Sequence, residues 1–323
     1  MKRMSLFVRI AAAVAVLALS VCAFAGCTGE PTAKYRVGVV QLTQHVALDA
    51  ATKGFTDMLK EKLGDDVVID VKNASNDFNT CGTIVSGFVS NNVDLILANA
   101  TPALQAAAAA TGTIPILGTS VTDFASALEI DNWNGKTGRN ISGTSDLAPL
   151  ADQAKMVKEL FPDKKKVGLL YCSSEANSVY QCNVIQVELE ALGYTVSRHG
   201  FTDSNDIAAV TQTACDNSDV IYVPTDNTVA DNTEVIANVA VPAGVPIVAG
   251  ESGICSGCGV ATLSIDYYDI GVAAAEMAYE ILVNGKDPAD MDVRFSEAPT
   301  KKYNAELCQQ YGITPPEGYV AIG

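Results

Sequence analysis

The chain has 323 residues, of which 48% are hydrophobic and 18% are charged, so it is long enough for two domains and too apolar for a disordered protein. Its formal net charge is −16 at pH 7, and the sequence contains no basic stripe. An acidic protein repels nucleic acids and anionic lipids, which excludes nucleic-acid binding and electrostatic attachment to a membrane.

The first 26 residues have the pattern of an export signal. Lys2, Arg3 and Arg9 form a positive segment, and an apolar run follows over residues 10–21. This run is shorter than the roughly 20 residues that a membrane-spanning helix needs. We therefore expect residues 1–26 to be removed. Their loss takes away three positive charges and no negative ones, which changes the formal net charge from −16 to −19.

The residues around Cys27 resemble a bacterial lipobox, in which the cysteine is acylated and becomes the new N-terminus. Ala25-Gly26 directly precedes Cys27, although Phe24 stands where leucine is usual. A doubly acylated cysteine anchors a protein stably. We therefore expect a lipid anchor at Cys27 and a lipidated tether over residues 27–33. Plain cleavage with release of the protein is the alternative.

After the tether, apolar strands alternate with amphipathic helices. Leu48, Ala51, Phe55 and Leu59 have the spacing of the buried face of a helix. Alternation of this kind predicts parallel sheets with right-handed crossovers. The predicted strands cover residues 36–40, 67–69, 94–97, 115–117 and 166–170.

The second half of the sequence repeats landmarks of the first half in the same order. Arg36-Val-Gly matches Lys166-Val-Gly, Ser75-Asn-Asp matches Ser204-Asn-Asp, Asp94-Leu-Ile matches Asp219-Val-Ile, and Pro115-Ile-Leu matches Pro246-Ile-Val. The nearly constant spacing predicts two similar doubly wound α/β lobes with parallel sheets, joined by a hinge with several crossovers. We expect lobe 1 to contain residues 34–145 and about 264–290. Lobe 2 should contain residues 146–263 and about 291–323.

Two such lobes place their strand-end loops on opposite sides of a cleft, where ligands bind in open α/β sheets. The turn 171–178, which follows the strand 166–170, is typical of these loops. Its hydroxyl, amide and carboxylate side chains also suit an ordinary helix cap, and this alternative stays open. Our candidate contact residues in the cleft are Gln41, Gln44, Thr101, Thr122, Asp146, Ser173, Asn177, Ser178, Thr225, Asp226, Asn227 and Glu251.

Seven cysteines follow Cys27, an odd number that argues against a complete set of disulfides. Cys81 and Cys182 fall on apolar helix faces, which indicates core thiols. Cys255 and Cys258 form a lone CxxC, for which a local disulfide in a surface loop or two free thiols are the alternatives. Since the chain has only two histidines, we expect neither a metal site nor a cofactor.

The sequence also disfavours an enzyme. Gly250-Glu-Ser-Gly resembles a nucleophile elbow, but Ile254 stands where the G-x-S-x-G motif needs glycine. His45 and His199 have no evident serine or cysteine partner, and the sequence contains neither a phosphate loop nor a dinucleotide fingerprint.

The loop motifs closely resemble those of one known family across nearly the whole exported chain. The chain is similar to the solute-binding lipoproteins of ABC importers with the type I periplasmic-binding-protein fold, in particular to the tryptophan and aromatic-amino-acid subfamily often called TrpX-like. The matching motifs are Gln44-His-Val-Ala-Leu-Asp, Asn99-Ala-Thr-Pro-Ala-Leu-Gln, Ser120-Val-Thr-Asp, Asn140-Ile-Ser-Gly-Thr-Ser-Asp, Ser173-Ser-Glu-Ala-Asn-Ser, Pro224-Thr-Asp-Asn-Thr and Ile265-Asp-Tyr-Tyr.

The resemblance implies an extracytoplasmic protein, lipid-anchored on the outer face of the cytoplasmic membrane. Such a protein captures an aromatic amino acid, tryptophan or phenylalanine, and delivers it to a permease with its ATPase. Val46 and Phe124 depart from the family at positions where proline is common, and the Cys255–Cys258 loop is not a family feature. A surface receptor for a signalling system, or a binder of another small zwitterion, is the alternative.

The residues themselves indicate a small zwitterion. Asp226 is the first choice for the ammonium group, followed by Glu251 or Asp146. The four arginines of the exported chain lie outside the strand-end loops, which disfavours a dicarboxylate or a phosphate. A single carboxylate can be held by free N–H groups at helix N-termini and by hydroxyls. The hydroxyls proposed for it are those of Ser173, Ser174, Ser178 and Thr101. Aromatic candidates for the side-chain pocket are Phe124, Tyr171, Tyr180, Tyr267 and Tyr268.

Overall fold

The computed structural model describes residues 33–296 and 299–322. The predicted export signal, Cys27 and all but the last residue of the tether lie outside the described residues. The strands are β1 (Tyr35–Gln41), β2 (Val67–Asn73), β3 (Leu95–Asn99), β4 (Ile116–Val121), β5 (Ile141–Ser145), β6 (Lys166–Cys172), β7 (Thr195–Phe201), β8 (Val220–Val223), β9 (Ile247–Ala249), β10 (Ala261–Ser264), β11 (Arg294–Phe295), β12 (Thr300–Tyr303) and β13 (Val320–Ala321).

The α-helices alternate with these strands. They are α1 (Val46–Leu63), α2 (Phe78–Ser90), α3 (Thr101–Ala110), α4 (Phe124–Ala127), α5 (Leu150–Leu160), α6 (Ala176–Ala191), α7 (Ile207–Asn217), α8 (Asn227–Ala230), α9 (Thr233–Ala243), α10 (Ser252–Cys258), α11 (Tyr267–Leu282) and α12 (Ala305–Tyr311). None of the described helices combines the length and apolar character that crossing a membrane requires.

The two lobes repeat one topology. The first sheet has the order β11-β5-β4-β3-β1-β2, and the second has the order β13-β12-β10-β9-β8-β6-β7. All neighbouring strands pair in parallel except β10 and β12, which are antiparallel. Leaving out the added edge strands, each sheet has the 2-1-3-4-5 order of a doubly wound fold. The predicted fold class is therefore confirmed.

A repeated hydrogen bond supports the internal duplication. The Asp94 carboxylate accepts from Arg36 N at 2.7 Å in the first lobe. The Asp219 carboxylate accepts from Lys165 N and Lys166 N, both at 2.9 Å, in the second. The same aspartate thus joins the start of the third strand to the start of the first strand in both halves. The two Ser-Asn-Asp landmarks differ, because Asp77 caps α2 through Thr80 N whereas Asp206 makes no capping hydrogen bond.

Helices cover both faces of each sheet. In the first lobe, α2 and α3 pack on one face, and α1 and α11 pack on the other. Helices α1 and α11 approach closely at two glycines, since a Cβ on Gly54 would lie 2.1 Å from Tyr268 O and one on Gly271 would lie 2.0 Å from Ala51 O. In the second lobe, α5, α6 and α12 cover one face, and α7, α9 and α10 cover the other.

The chain crosses between the lobes after β5, after β10 and after β11. The third crossing lies later than the sequence predicts, because Arg294 and Phe295 pair with Thr144 and Ser145 of β5 and so belong to the first sheet. The assignment of residues from about 291 to the second lobe therefore begins too early. Both residues of β11 are exposed, so this strand lacks the buried pattern by which strands are recognised in sequence.

Candidate functional site

The candidate site lies where the carboxyl ends of the two sheets face each other. On the first-lobe side, four residues other than glycine have positive φ angles at the carboxyl ends of the strands, and two of them, Ser75 and Asn76 after β2, have φ 53° and 60°. Ala100, between β3 and α3, has φ 93° and ψ 156°, and Ser120, near the end of β4, has φ 53°. Such backbone conformations are costly for residues with a side chain and cluster at functional sites. The strained backbone of the first-lobe wall therefore lies after β2, after β3 and near the end of β4.

Four carboxylates are buried in or beside the cleft: Asp146, Glu175, Asp226 and Glu251 are between 1% and 5% exposed. Within residues 33–296 and 299–322, none of them forms an ion pair, and the ion pairs present join other, partly exposed residues. Burying a carboxylate without a cation is costly unless hydrogen bonds compensate the charge. The hydrogen-bond donors of each carboxylate therefore decide its role.

Asp146 follows β5 at the first crossover between the lobes. Its oxygens accept from the hydroxyls of Thr122, at 3.1 Å, and Tyr267, at 3.0 Å. Burial raises the pKa of Asp146 to about 6, the two hydroxyls oppose this rise, and the negative charge of Glu251 adds to it. Asp146 is thus a buried acid whose side-chain donors are rotatable hydroxyls.

Asp226 and Glu251 instead accept mainly from fixed backbone groups, although the Ser178 hydroxyl also bonds to Asp226. The Asp226 carboxylate accepts from Cys172 N at 2.6 Å and from Val229 N at 2.9 Å, which caps α8. Glu251 caps α10 by accepting from Gly253 N and Ile254 N. Burial raises the pKa of both carboxyls, and the neighbouring Glu175 raises that of Asp226 further. Both carboxylates therefore hold backbone groups of the second-lobe loops.

Glu175 is a residue that the sequence-based set of contacts lacks. Its Oε1 accepts from Thr228 N at 2.8 Å and Thr228 Oγ1 at 2.7 Å. Its Oε2 accepts from Asn227 N at 3.1 Å, Asn227 Nδ2 at 2.7 Å and Asn177 Nδ2 at 3.0 Å. Glu175 occupies the N-cap position of α6 but makes no side-chain cap there. The sequence signals for Glu175 are its place in the polar turn 171–178 and in the matching motif Ser173-Ser-Glu-Ala-Asn-Ser.

Several buried polar atoms around the cleft have no hydrogen-bond partner among the described residues. They are Thr101 Oγ1 and Ser120 Oγ in the first-lobe loops, His45 Nδ1 after β1, and Asn177 Oδ1 at the start of α6. Buried polar groups are nearly always paired, so each exception requires an explanation. Two hydroxyl groups, an amide oxygen and an imidazole nitrogen are therefore free to bind a polar ligand.

The remaining candidate residues divide into two groups. Thr122, Asn177, Ser178 and Asn227 are buried and take part in the network around the carboxylates, and the Thr225 carbonyl accepts from Asn177 Nδ2 at 3.2 Å. Gln41, Gln44 and Ser173 lie apart from that network. Gln41 bonds to Thr43, Asp49 and Thr52 within the first lobe, Gln44 is exposed, and Ser173 donates to Phe201 O on the neighbouring strand.

Among the aromatic candidates, Tyr267 lies closest to the network because it contacts Asp146. Phe124 and Tyr171 are buried in the hydrophobic cores of the two lobes, and Tyr268 is 37% exposed on the first lobe. Tyr180 is partly buried, and the negative charge of Asp123 acts on its hydroxyl. The sequence alone does not single out Tyr267 from the other four aromatic candidates.

The cysteines take no part in the site. All seven described cysteines are free thiols and buried, which confirms the core thiols at Cys81 and Cys182. Cys255 and Cys258 lie in α10 and pack into the second-lobe core, so of the two alternatives the structure has two free thiols and not a disulfide in a surface loop. No group of three or more metal-ligating side chains that could hold an ion is found in the described parts of the chain.

The two lobes touch across the cleft. Asn76 Nδ2 donates to Thr228 Oγ1 at 3.1 Å, His45 Nε2 lies 3.3 Å from Asn227 Oδ1, and Thr43 Oγ1 lies 3.4 Å from Asp231 Oδ2. A cavity of about 480 Å³ opens beside these contacts, between residues of both lobes. Side chains from opposite lobes therefore form hydrogen bonds across the entrance of the cleft.

Comparisons with known proteins by sequence and by fold agree on one protein family. The model of the ABC transporter substrate binding protein family matches residues 36–321. A tyrosine-binding protein of Clostridioides difficile (strain R20291) is 38% identical over 260 residues, which are 80% of this chain and 75% of the relative.

Solved structures agree with this assignment. A Streptococcus pneumonia ABC domain in complex with L-Trp is 32% identical, with a TM-score of 0.85, covering 90% of this chain and all of that one. The ligand-free, open structure of a Clostridium difficile substrate binding protein with adhesive properties is 34% identical, with a TM-score of 0.69, covering 89% of this chain and 99% of that one. At similar identity and coverage, the chain thus superposes better on the L-Trp complex than on the open, ligand-free structure. With the family match spanning nearly all described residues, we conclude that the chain belongs to the ABC transporter substrate binding protein family and is an extracytoplasmic solute-binding subunit of an importer, not an enzyme.

Proposed function

We propose that this protein captures an aromatic L-amino acid between its lobes and delivers it to the permease of an ABC importer. The relatives described above support the ligand class, since one is a tyrosine-binding protein and another was solved with L-Trp. The observation that carries the proposal is the set of four buried carboxylates without an ion pair in the described residues. A ligand with an ammonium group would compensate this negative charge.

Asp146 is the best partner for that ammonium group. Its side-chain donors are two hydroxyls, which can turn toward other acceptors when a cation arrives. Asp226 and Glu251 are less suited, because each already accepts from two backbone N–H groups. We therefore assign the ammonium contact to Asp146, with Glu251 close enough to strengthen the negative field.

The ligand carboxylate fits the first-lobe wall. Thr101 begins α3, a helix of ten residues whose first N–H groups have no partner within the helix. The hydroxyls of Thr101 and Ser120 are buried there and unpartnered among the described residues. All four arginines of the exported chain are exposed, which favours an amino acid with a single carboxylate.

Isothermal titration calorimetry tests the ligand class directly. The protein is unfolded and refolded to remove any co-purified ligand, and is then titrated with L-Tyr, L-Trp and L-Phe. We expect at least one to bind with a Kd below about 100 μM, which corresponds to about −5.5 kcal/mol. L-Glu and L-Lys serve as controls. Tighter binding of either control, or no binding of the three aromatic amino acids, would contradict the proposal.

We further propose that the protein is held to the membrane by a lipid on Cys27, because Ala25-Gly26 precedes this cysteine as in a lipobox. Metabolic labelling with radioactive palmitate should mark the wild-type protein and leave the Cys27→Ala variant unlabelled. Recovery of labelled Cys27→Ala protein, or of unlabelled wild-type protein in the culture medium, would refute the anchor.

A further inference from the structure

We infer that Glu175 is a positioning residue for lobe closure: it orients Asn227 and Thr228 so that they can bind His45 and Asn76 of the opposite lobe. The residue takes no part in the proposed ligand contacts, because its two oxygens already accept five hydrogen bonds from Asn177, Asn227 and Thr228. A carboxylate offers about four lone-pair directions, so it has no capacity left for a ligand ammonium group.

The direction of each hydrogen bond is the basis of the inference. The Thr228 hydroxyl has one hydrogen, which it donates to Glu175 Oε1 at 2.7 Å. The same oxygen atom can then only accept, and it accepts from Asn76 Nδ2 of the first lobe at 3.1 Å. A chain of two hydrogen bonds thus runs from the first lobe through Thr228 to Glu175.

Asn227 is oriented in the same way. Its amide nitrogen donates to Glu175 Oε2 at 2.7 Å, so the amide cannot rotate by 180° without facing a donor toward the first lobe. Its amide oxygen is consequently presented to His45 Nε2, 3.3 Å away. Since an acceptor-only group lies behind both residues, both present acceptors to the first lobe.

Glu175 lies where it can stabilise the contacts across the entrance of the cleft. The three contacts that reach residues 227–231 from the first lobe lie beside the cavity between the lobes, which Glu175 also lines. A group that favours the closed arrangement raises apparent affinity by raising the fraction of binding-competent protein. Glu175 therefore contributes to affinity without touching the ligand.

Glu175→Gln tests this reasoning because it preserves shape and replaces one acceptor by a donor. An NH₂ group facing Asn227 or Thr228 should turn one of them away from the first lobe. We expect the closed fraction in the absence of ligand to fall about tenfold, and the Kd for the best aromatic amino acid to rise by a similar factor. The exposed Glu61 provides the matched control, Glu61→Gln, which should change neither quantity.

Closure is measured by electron–electron double resonance between spin labels at Thr83→Cys in α2 and Gln212→Cys in α7, equivalent helices of the two lobes. Both positions are exposed, whereas the native described thiols are buried and will not be labelled. This measurement needs no ligand, so it tests Glu175 even if no aromatic amino acid binds. The affinity measurement, in contrast, rests on the proposed function.

A double-mutant cycle separates positioning from general stabilisation. If Glu175 acts through Thr228, Asn76→Ala should lower the closed fraction in the wild-type background and have little further effect beside Glu175→Gln. Should Glu175→Gln fail to fold, Thr228→Val replaces it, because valine keeps the shape and removes the hydroxyl that links Asn76 to Glu175. Additive effects, or an unchanged distance distribution in Glu175→Gln and Thr228→Val, would overturn the inference.

Discussion

Replacing Asp146 by asparagine should change stability and ligand affinity in opposite directions. Asp146 is 4% exposed, and burial raises its pKa from an ordinary 3.8 to about 6. One pKa unit corresponds to about 1.4 kcal/mol, so keeping this carboxyl ionised in the folded protein costs about 3 kcal/mol. Asparagine is neutral at every pH and avoids that cost.

The sign of the pH dependence follows from the raised pKa. A group that binds its proton more tightly in the folded protein stabilises the fold most below its unfolded pKa, here near pH 4, and the contribution is lost as pH rises through about 6. The free energy of unfolding of the wild-type protein, relative to Asp146→Asn, should therefore fall by about 2 kcal/mol between pH 4.5 and 7.5. Above pH 7.5 the difference should stay constant.

Ligand binding should respond in the opposite way. If Asp146 contacts the ammonium group, its removal leaves the ligand without a charge partner, and affinity at pH 7.5 should weaken by roughly 2 kcal/mol, or about 30-fold. Wild-type affinity should also decline below about pH 6, because the carboxyl must then release its proton before it can bind the cation.

Urea unfolding of the ligand-free protein at pH 4.5, 6.0 and 7.5, together with calorimetric titration, measures both quantities. The exposed Asp163 offers a matched control, since Asp163→Asn removes one charge without altering a buried group. Equal affinity of Asp146→Asn and wild type would refute the ammonium contact. A stability difference that does not change with pH would refute the raised pKa.

Two further predictions concern the lobes themselves. Gly54→Ala or Gly271→Ala should destabilise the protein by about 3 kcal/mol in urea unfolding, because the new methyl group meets backbone carbonyls of the facing helix. The control Gly82→Ala, in α2, has open space around it and should be neutral or stabilising. A tolerated Gly54→Ala would contradict the close approach of α1 and α11. In the native protein, Ellman's reagent should find no fast-reacting thiol within residues 28–323, because the thiols are buried and burial raises the pKa of Cys81, Cys255 and Cys258. After denaturation the reagent should find seven thiols, because all seven are free, and fewer than seven would indicate a disulfide.

The fold could be predicted because its signals are local and repeated. Runs such as Val37–Val40 and stripes such as Leu48, Ala51 and Phe55 are buried as the pattern requires. Strand β11 could not be predicted, because its two residues are exposed and pair with β5, about 150 positions earlier. The choice between the two alternatives for the CxxC could not be made from the sequence for a related reason: Ile254, Cys255 and Cys258 share one face of a short helix that packs into the core, whereas the glycines around them suggest a loop.

The site could be predicted in outline but not in the roles of its residues. Strand-end position identified the loops that hold Asp226 and Glu251, and Asp146 ends the matching motif Asn140-Ile-Ser-Gly-Thr-Ser-Asp. The role of a carboxylate, however, depends on donors that are distant in sequence, such as those 52 and 53 positions beyond Glu175. Gln41 shows that a strand-end position does not by itself make a ligand contact. It ends β1 at the cleft, but its amide group donates to Thr43 and Asp49 of its own lobe.

The donors around the four acids explain why only one of them should respond to the ligand. Backbone N–H groups at helix starts are fixed dipoles that stabilise a negative charge whether or not a cation is present, and they hold Glu175, Asp226 and Glu251. The hydroxyls of Thr122 and Tyr267 can rotate, so the surroundings of Asp146 can adapt to an ammonium group without breaking the fold. Tyr267 begins α11, directly after the second crossover, and Asp146 follows β5 at the first. A cation at Asp146 would therefore act on both hinge segments at once, which connects charge compensation to lobe closure.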